Sequence, residues 1–203
     1  VFIHNFAGRN WNVDNMNTLF DKDASVNAIL YILSAFGGQA DMHKVYKTLY
    51  FADQEHLSKY GRSITGDTYI AMQYGPVPSM IYDITKAVKG DSYFSQSDNA
   101  TELKELFRFA NRFIIRAAAD YDPDSLSDSD KECLDNAIAK CRDKSFTELT
   151  EMSHGLAYNN TRPDREISVK DILCEAGDTE EYANYISQKL KYEEVFCGCW
   201  WQI

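Results

Sequence analysis

The sequence has no apolar run approaching the length of a membrane span, and no cationic segment leading into an apolar core at its start. Neither a spanning helix nor a secretory leader is expected. The cysteines (Cys133, Cys141, Cys174, Cys197 and Cys199) are odd in number and irregular in spacing. That pattern suits reduced cytosolic thiols and argues against a disulfide framework. Positive charge is scarce: 21 basic residues face 31 acidic ones, giving a net charge of −10. Such a surface repels nucleic acid and anionic membrane while attracting basic protein patches. There is no H-E-x-x-H, no G-x-S-x-G and no G-x-x-x-x-G-K-[ST]. Internal repeats and low-complexity tracts are also absent. The expectation is a soluble, cytoplasmic protein.

Two near-matches to metal sites fail on inspection. Asp120, Asp122, Asp124, Asp128 and Asp130 suggest a calcium loop, yet Ser125 stands where glycine is required and Lys131 where the bidentate glutamate belongs. Cys197-Gly198-Cys199 has no second ligand pair at recognisable spacing. No metal or other cofactor is expected.

At 203 residues the chain can fill one domain, and splitting it would leave small cores. Its organising stretch is Asp41 to Ser79. Met42, Val45, Leu49, Ala52 and His56 share a helical face, with Asp41 suited to the N-cap and Gly61 to the C-terminal stop. Arg62–Thr65 and Thr68–Met72 are short β-prone runs around Gly66-Asp67. This reads as a tight hairpin with Ile64 opposite Tyr69. Gly75-Pro76-Val77-Pro78-Ser79 then reads as a stiff extended bridge into a helix capped by Ser79.

Before this stretch, Asp23 or Ser25 is expected to cap a helix ended by Gly37-Gly38. After it, Asp91–Ala100 reads as a loop. Phe107/Phe109 and Phe113/Ile115 read as a second hairpin around Ala110-Asn111, with a helix as the alternative. Further helices start at Ser127, at the capping box Ser145-x-x-Glu148, at Ser168 and near Asp178 or Thr179. The fold class is mainly α, a compact single-domain helical fold with one or two small β-hairpins. Residues 1–15 are set apart as an N-terminal extension, 16–196 form the domain, and 197–203 are an apolar C-terminal tail.

The segment KTLYFADQEHLSKYGRSITGDTYIAMQYGPVPS resembles the signature of the SocA-like antitoxins, or Panacea domain. That family shows K-x-L-Y-F-A-D, then Y-G-R-x-I-T-G-D, then Y-G-P-V-P-S, and later a serine-histidine element, here Ser153-His154. The chain has Tyr158 where the family usually carries tryptophan. The similarity extends from about Asn27 to about Tyr185. It implies a mainly helical antitoxin that neutralises a cognate toxin protein. It also implies, as an alternative, an adaptor that delivers toxin to a ClpXP-type protease, and carriage by a phage or mobile element.

Action by binding rather than catalysis is expected, with direct occlusion of a basic toxin site as the favoured route. A homodimer is allowed. The rival classes are a hydrolase built from converging Cys and His groups, and a regulatory interaction module without a toxin. Candidate scaffold or partner-binding residues are Asp53, Arg62, Ile64, Thr65, Asp67, Tyr69, Tyr74, Gly75, Pro76, Pro78, Ser79 and His154. Asp53 is expected to tie the central helix to the hairpin, with Arg62 or the hairpin amides as its partners. His154 is expected to bond the carbonyls that end its helix.

Overall fold

The computed structural model describes residues 19–91 and 98–199; the 1–15 extension and the Trp200-Trp201 end of the apolar tail lie outside them. The order of elements is α1 (Lys22–Ala35), β1 (Gln39–Asp41), α2 (Met42–Tyr60), β2 (Tyr69–Met72), β3 (Gly75–Pro78), α3 (Ser79–Lys89) and α4 (Asp98–Leu106). There follow β4 (Phe107–Phe109), β5 (Ile114–Ala117), α5 (Asp128–Cys141), α6 (Phe146–Ser153), α7 (Leu156–Asn160), α8 (Val169–Ala176) and α9 (Glu180–Cys199). The fold is mainly α with two small antiparallel sheets, as the sequence predicts.

Helix α2 is the axle. Every residue from Val45 to Gln54 is buried, and α1, α5, α6, α8 and β3 all pack on it. A helix buried all round must satisfy its polar side chains internally, and α2 carries several of them. Its ends form as expected: the Asp41 carboxylate accepts from His43 N at 2.8 Å, and Gly61 closes it in the left-handed region at φ +69°. Leu49, Tyr50, Leu134 and Leu173 are fully buried around it. Each such side chain contributes roughly 1.5–3 kcal/mol by leaving water.

The first hairpin lies one step downstream of where the sequence puts it. Its strands are β2 and β3, joined through Gln73-Tyr74, with Tyr69 opposite Pro78 rather than Ile64. Residues 62–65 cannot be a ladder strand, because the Asp53 carboxylate already takes the N–H groups of Ile64 and Thr65. Gly66 does adopt φ +64°, but its role is close approach: a methyl there would stand 1.7 Å from the Leu19 carbonyl oxygen. The prolines of β3 are tolerated because Ser79 N donates to Thr68 O. In that phase Pro76 and Pro78 occupy positions whose nitrogens face away from β2. The far edge of β2 is covered as well, since Ala71 N donates to Arg165 O and Ile167 N to Tyr69 O.

Two caps also differ from expectation. Asp21, not Asp23 or Ser25, caps α1 by accepting from Ala24 N at 2.9 Å. Ser79 is the first residue of α3 instead of its cap; the Asp67 carboxylate takes the free N–H groups of Met80 and Ile81 from across the loop. The second hairpin, β4–β5, does form, but its turn takes in residues 110–113 rather than centring on Ala110-Asn111. Phe109 therefore pairs with Ile115, and Phe113, expected on the strand, is exposed in the turn; β1 adds on the other side of β5. Asp98–Ala100, expected in a loop, begin α4. Capping boxes start α5 at Ser127 and α6 at Ser145, and Ser168 caps α8.

Candidate functional site

The buried polar side chains of α2 each fasten a different piece of chain. Asp53, one per cent exposed, receives four hydrogen bonds: Ile64 N at 2.7 Å, Thr65 N at 3.2 Å, Thr65 Oγ1 at 2.6 Å and the Tyr69 hydroxyl at 2.7 Å. Burial pushes this carboxyl above its ordinary range, and the four donors oppose that shift. Thr65 Oγ1 in turn accepts from Asp67 N, which links Asp53 to the second carboxylate. Asp67 accepts from Thr68 N at 2.8 Å, Met80 N at 3.0 Å and Ile81 N at 2.9 Å; burial raises its pKa to about 7. Asp53, Ile64, Thr65, Asp67 and Tyr69 thus form one dry network joining α2, β2 and α3.

Lys47 fastens the other strand of the hairpin. It is fully buried and donates to Pro76 O at 2.8 Å, with no carboxylate within ion-pair distance among the described residues. Burial lowers its pKa to about 7. Gly75 allows this approach: at φ +96°, a methyl would sit 2.7 Å from Lys47 Nζ and 2.4 Å from Ser153 Oγ. Ser153 is itself buried and donates to Thr150 O. His154 stacks on Tyr158 at 4.0 Å with the rings 3° apart, and the Tyr158 hydroxyl reaches Met72 O at 3.0 Å. The serine-histidine element is therefore a clamp on the hairpin. The expected bonds from the His154 ring to its helix end are not made, and its Nε2 is buried without a partner among the described residues. Burial, with help from the Lys47 charge, lowers the pKa of His154.

One small face of this frame reaches solvent. Tyr74, at the tip of β2–β3, is 50% exposed, and Phe146, opening α6, is 49% exposed. Their rings meet edge to face at 5.3 Å. His43 completes the group: its ring stacks on Phe146 at 4.0 Å, and its Nε2 lies 3.3 Å from Tyr74 O and 3.2 Å from Thr150 Oγ1. Burial, then the Lys47 charge, lowers the pKa of His43 to about 4, so it stands neutral near pH 7.

Arg62 belongs elsewhere. Its guanidinium pairs with Asp130 at 2.9 Å, not with Asp53. Burial pushes the Asp130 carboxyl up, but hydrogen bonds from His56 and Ser127 and the Arg62 charge hold it below the usual carboxylate range. Ser129, His56 and Asp130 superficially resemble a hydrolytic triad. However, Ser129 Oγ at 3.1 Å and Asp130 Oδ1 at 3.0 Å meet the same nitrogen, Nε2, while Nδ1 faces Arg62 O at 2.8 Å. A relay needs acid and serine on opposite ring nitrogens. This cluster locks α5 to the end of α2 instead. Cys133 and Cys141 are buried, and burial raises both thiols, Cys133 to about 12, the reverse of an activated nucleophile.

A family described as antitoxin SocA-like, Panacea domain, matches residues 45–157, more than half of the chain. The chain belongs to that family. No curated protein and no solved structure matches it. The matched range of the Panacea domain begins within α2 and ends in α7, spanning Lys47, Asp53, Asp67, both hairpins and Ser153-His154. Among the described residues, no helix is long and apolar enough to cross a membrane, and no group of three or more metal-ligating side chains assembles.

The candidates chosen from sequence divide cleanly. Asp53, Ile64, Thr65, Asp67, Tyr69, Gly75, Pro76 and Pro78 are interior parts of the frame, and Ser79 opens α3 beside them. Tyr74 alone among them is a prominent surface aromatic. Lys47, His43, Phe146 and Ser153 were not among the candidates, and neither was Glu175. That residue accepts from the Tyr50 hydroxyl at 2.9 Å, Gln54 Nε2 at 2.9 Å and Ala157 N at 2.8 Å. One signal could have found part of this group. Lys47, Tyr50, Asp53 and Gln54 recur at helical spacing beside the apolar face of Val45, Leu49 and Ala52, a polar stripe that must find partners wherever the helix is buried.

Proposed function

We propose that this chain is an antitoxin that neutralises a cognate toxin protein by direct binding, through the face formed by Tyr74, Phe146 and His43. The observation that supports the reading most is this pair of half-exposed aromatic rings held on a frame that Asp53, Asp67 and Lys47 hydrogen-bond from inside. Rigid aromatic groups lose little conformational freedom on binding and dominate protein interfaces. The frame supplies pre-organisation, because Asp53, Asp67 and Lys47 leave the hairpin no freedom to be lost when the partner arrives. Catalysis has no part in this reading.

Co-expression with the product of the adjacent reading frame tests it. The antitoxin reading expects relief of growth arrest and a co-purifying complex. It also expects Tyr74→Ala or Phe146→Ala to weaken the complex at least tenfold while unfolding stability changes by less than about 1 kcal/mol. Absence of toxicity from any neighbouring product removes the reading. A fall in toxin level that requires the protease replaces occlusion with delivery.

A further inference from the structure

The second hairpin carries a feature that the bulk charge conceals. Arg108 on β4 stands directly opposite Arg116 on β5, and Gln39 on β1 lies on the other side of Arg116 in the same row. Like charges directly opposite on neighbouring strands are destabilising. Among the described residues, no acidic side chain pairs with either. Arg116 gives both Nε (3.2 Å) and Nη2 (2.9 Å) to the neutral Gln39 Oε1, and Arg108 has no ion-pair partner among the described residues. Arg112, in the turn, lies over the ring of Phe113 at 5.6 Å, and Phe113 is 61% exposed. On a chain of net charge −10, the hairpin thus gathers three exposed arginines with no carboxylate partner among the described residues.

Between them is a basin of about 370 Å³ lined by Arg108, Phe109, Ala110, Arg116, Ala117 and Ala118. Its lining combines two guanidinium groups with Phe109 and three alanines. The hairpin tip also lies at the aromatic end of α2, since Met42 N, one residue before His43, donates to Phe113 O at 2.9 Å.

We propose that the outer face of β4–β5 docks an acidic segment of the partner protein, with carboxylates on Arg108 and Arg116 and an apolar side chain in the basin. Arginine presents a planar fork that pairs bidentately with a carboxylate, and an anion between the two guanidinium groups removes their mutual repulsion. A nucleic-acid backbone has the same charge, but a long polyanion must also approach the remaining acidic surface, whereas a short segment need not. The inference rests on the partner-binding reading and revises one part of it. The local complement of this face is acidic, although the protein as a whole would attract basic patches.

The probe is a fluorescent twelve-residue peptide of alternating glutamate and leucine, titrated with the full chain and followed by anisotropy. Controls are the lysine-leucine counterpart and a twelve-nucleotide oligothymidylate. The glutamate peptide is expected to bind, to bind at least tenfold more weakly to Arg108→Gln/Arg116→Gln, and to lose less with Arg108→Lys/Arg116→Lys. Both variants change exposed side chains only, and circular dichroism checks their fold. The proposal fails if the wild type does not bind at millimolar peptide, if the glutamine variant binds as well as the wild type, or if the oligonucleotide or lysine peptide binds more tightly. The co-expression assay separates the two readings. If Arg108→Gln/Arg116→Gln rescues growth and Tyr74→Ala does not, this inference falls and the antitoxin reading stands. If no neighbour is toxic while the peptide binds as described, the reverse holds.

Discussion

The β2–β3 strands carry no charged residue; buried charges on α2 and in the loop before β2 hold the chain around them. Each meets a backbone partner: Asp53 holds Ile64 and Thr65, Asp67 holds Met80 and Ile81, and Lys47 holds Pro76. In β4–β5, the charged groups are Arg108, Arg112 and Arg116, all exposed and none paired with a carboxylate among the described residues. Around the first hairpin charge fixes the chain, and substitution there leaves buried donors unsatisfied. The second leaves charge in solvent, where it contributes little to stability and is available to another molecule. Charged side chains that fix the chain and charged side chains left in solvent are thus different sets within the matched family range.

Asp53→Ala tests the difference most severely. It strands two amides and two hydroxyls in a dry site, and a loss of about 4 kcal/mol in urea-unfolding stability is expected. A loss below 1 kcal/mol would mean the network is not what holds the hairpin. Gly75→Ala should cost about 2–3 kcal/mol, since the new methyl meets Ser153 Oγ and Lys47 Nζ in a backbone conformation that alanine resists.

Lys47→Met sharpens the comparison through pH. The folded pKa of Lys47, about 7, lies below its ordinary value of 10.5, so the unfolded chain binds more protons between these limits. Stability supplied by this site therefore rises with pH from about 7 towards 10.5, by at most about 1.4 kcal/mol per unit. The wild type should gain stability relative to Lys47→Met across that window. Parallel pH profiles would contradict a buried, unpaired ammonium. The smallest effect belongs to Arg108→Thr, which removes one member of the opposed arginine pair. It should leave stability unchanged or raise it by about 0.5 kcal/mol, read from the same unfolding curves.

Local signals in the sequence were sufficient for the caps of α2, the Ser145 box and the alternation of β4–β5, because each is decided within a few residues. The β2–β3 register was not legible for a physical reason. Gly66-Asp67 has the composition of a two-residue turn, but Leu19 and Asp53, distant in sequence, decide what that loop does. The same holds for the cap of α3, supplied by Asp67 from twelve residues before its first helical residue, Ser79. Lys47 was visible as a motif residue, yet only packing shows it to be dry and unpaired. The aromatic face was half legible: Tyr74 stands in the signature, whereas Phe146 and His43 join it through tertiary contact alone.

The central claim is that buried charges pin the chain around β2–β3, whereas none among the described residues pins β4–β5. Native-state hydrogen exchange on the full chain measures this directly. The account predicts that the amides of Ile64, Thr65 and Ile81 exchange only through global unfolding, and that those of Arg108 and Arg116 open at lower free energy. Equal or faster exchange at Ile64, Thr65 and Ile81 would contradict it.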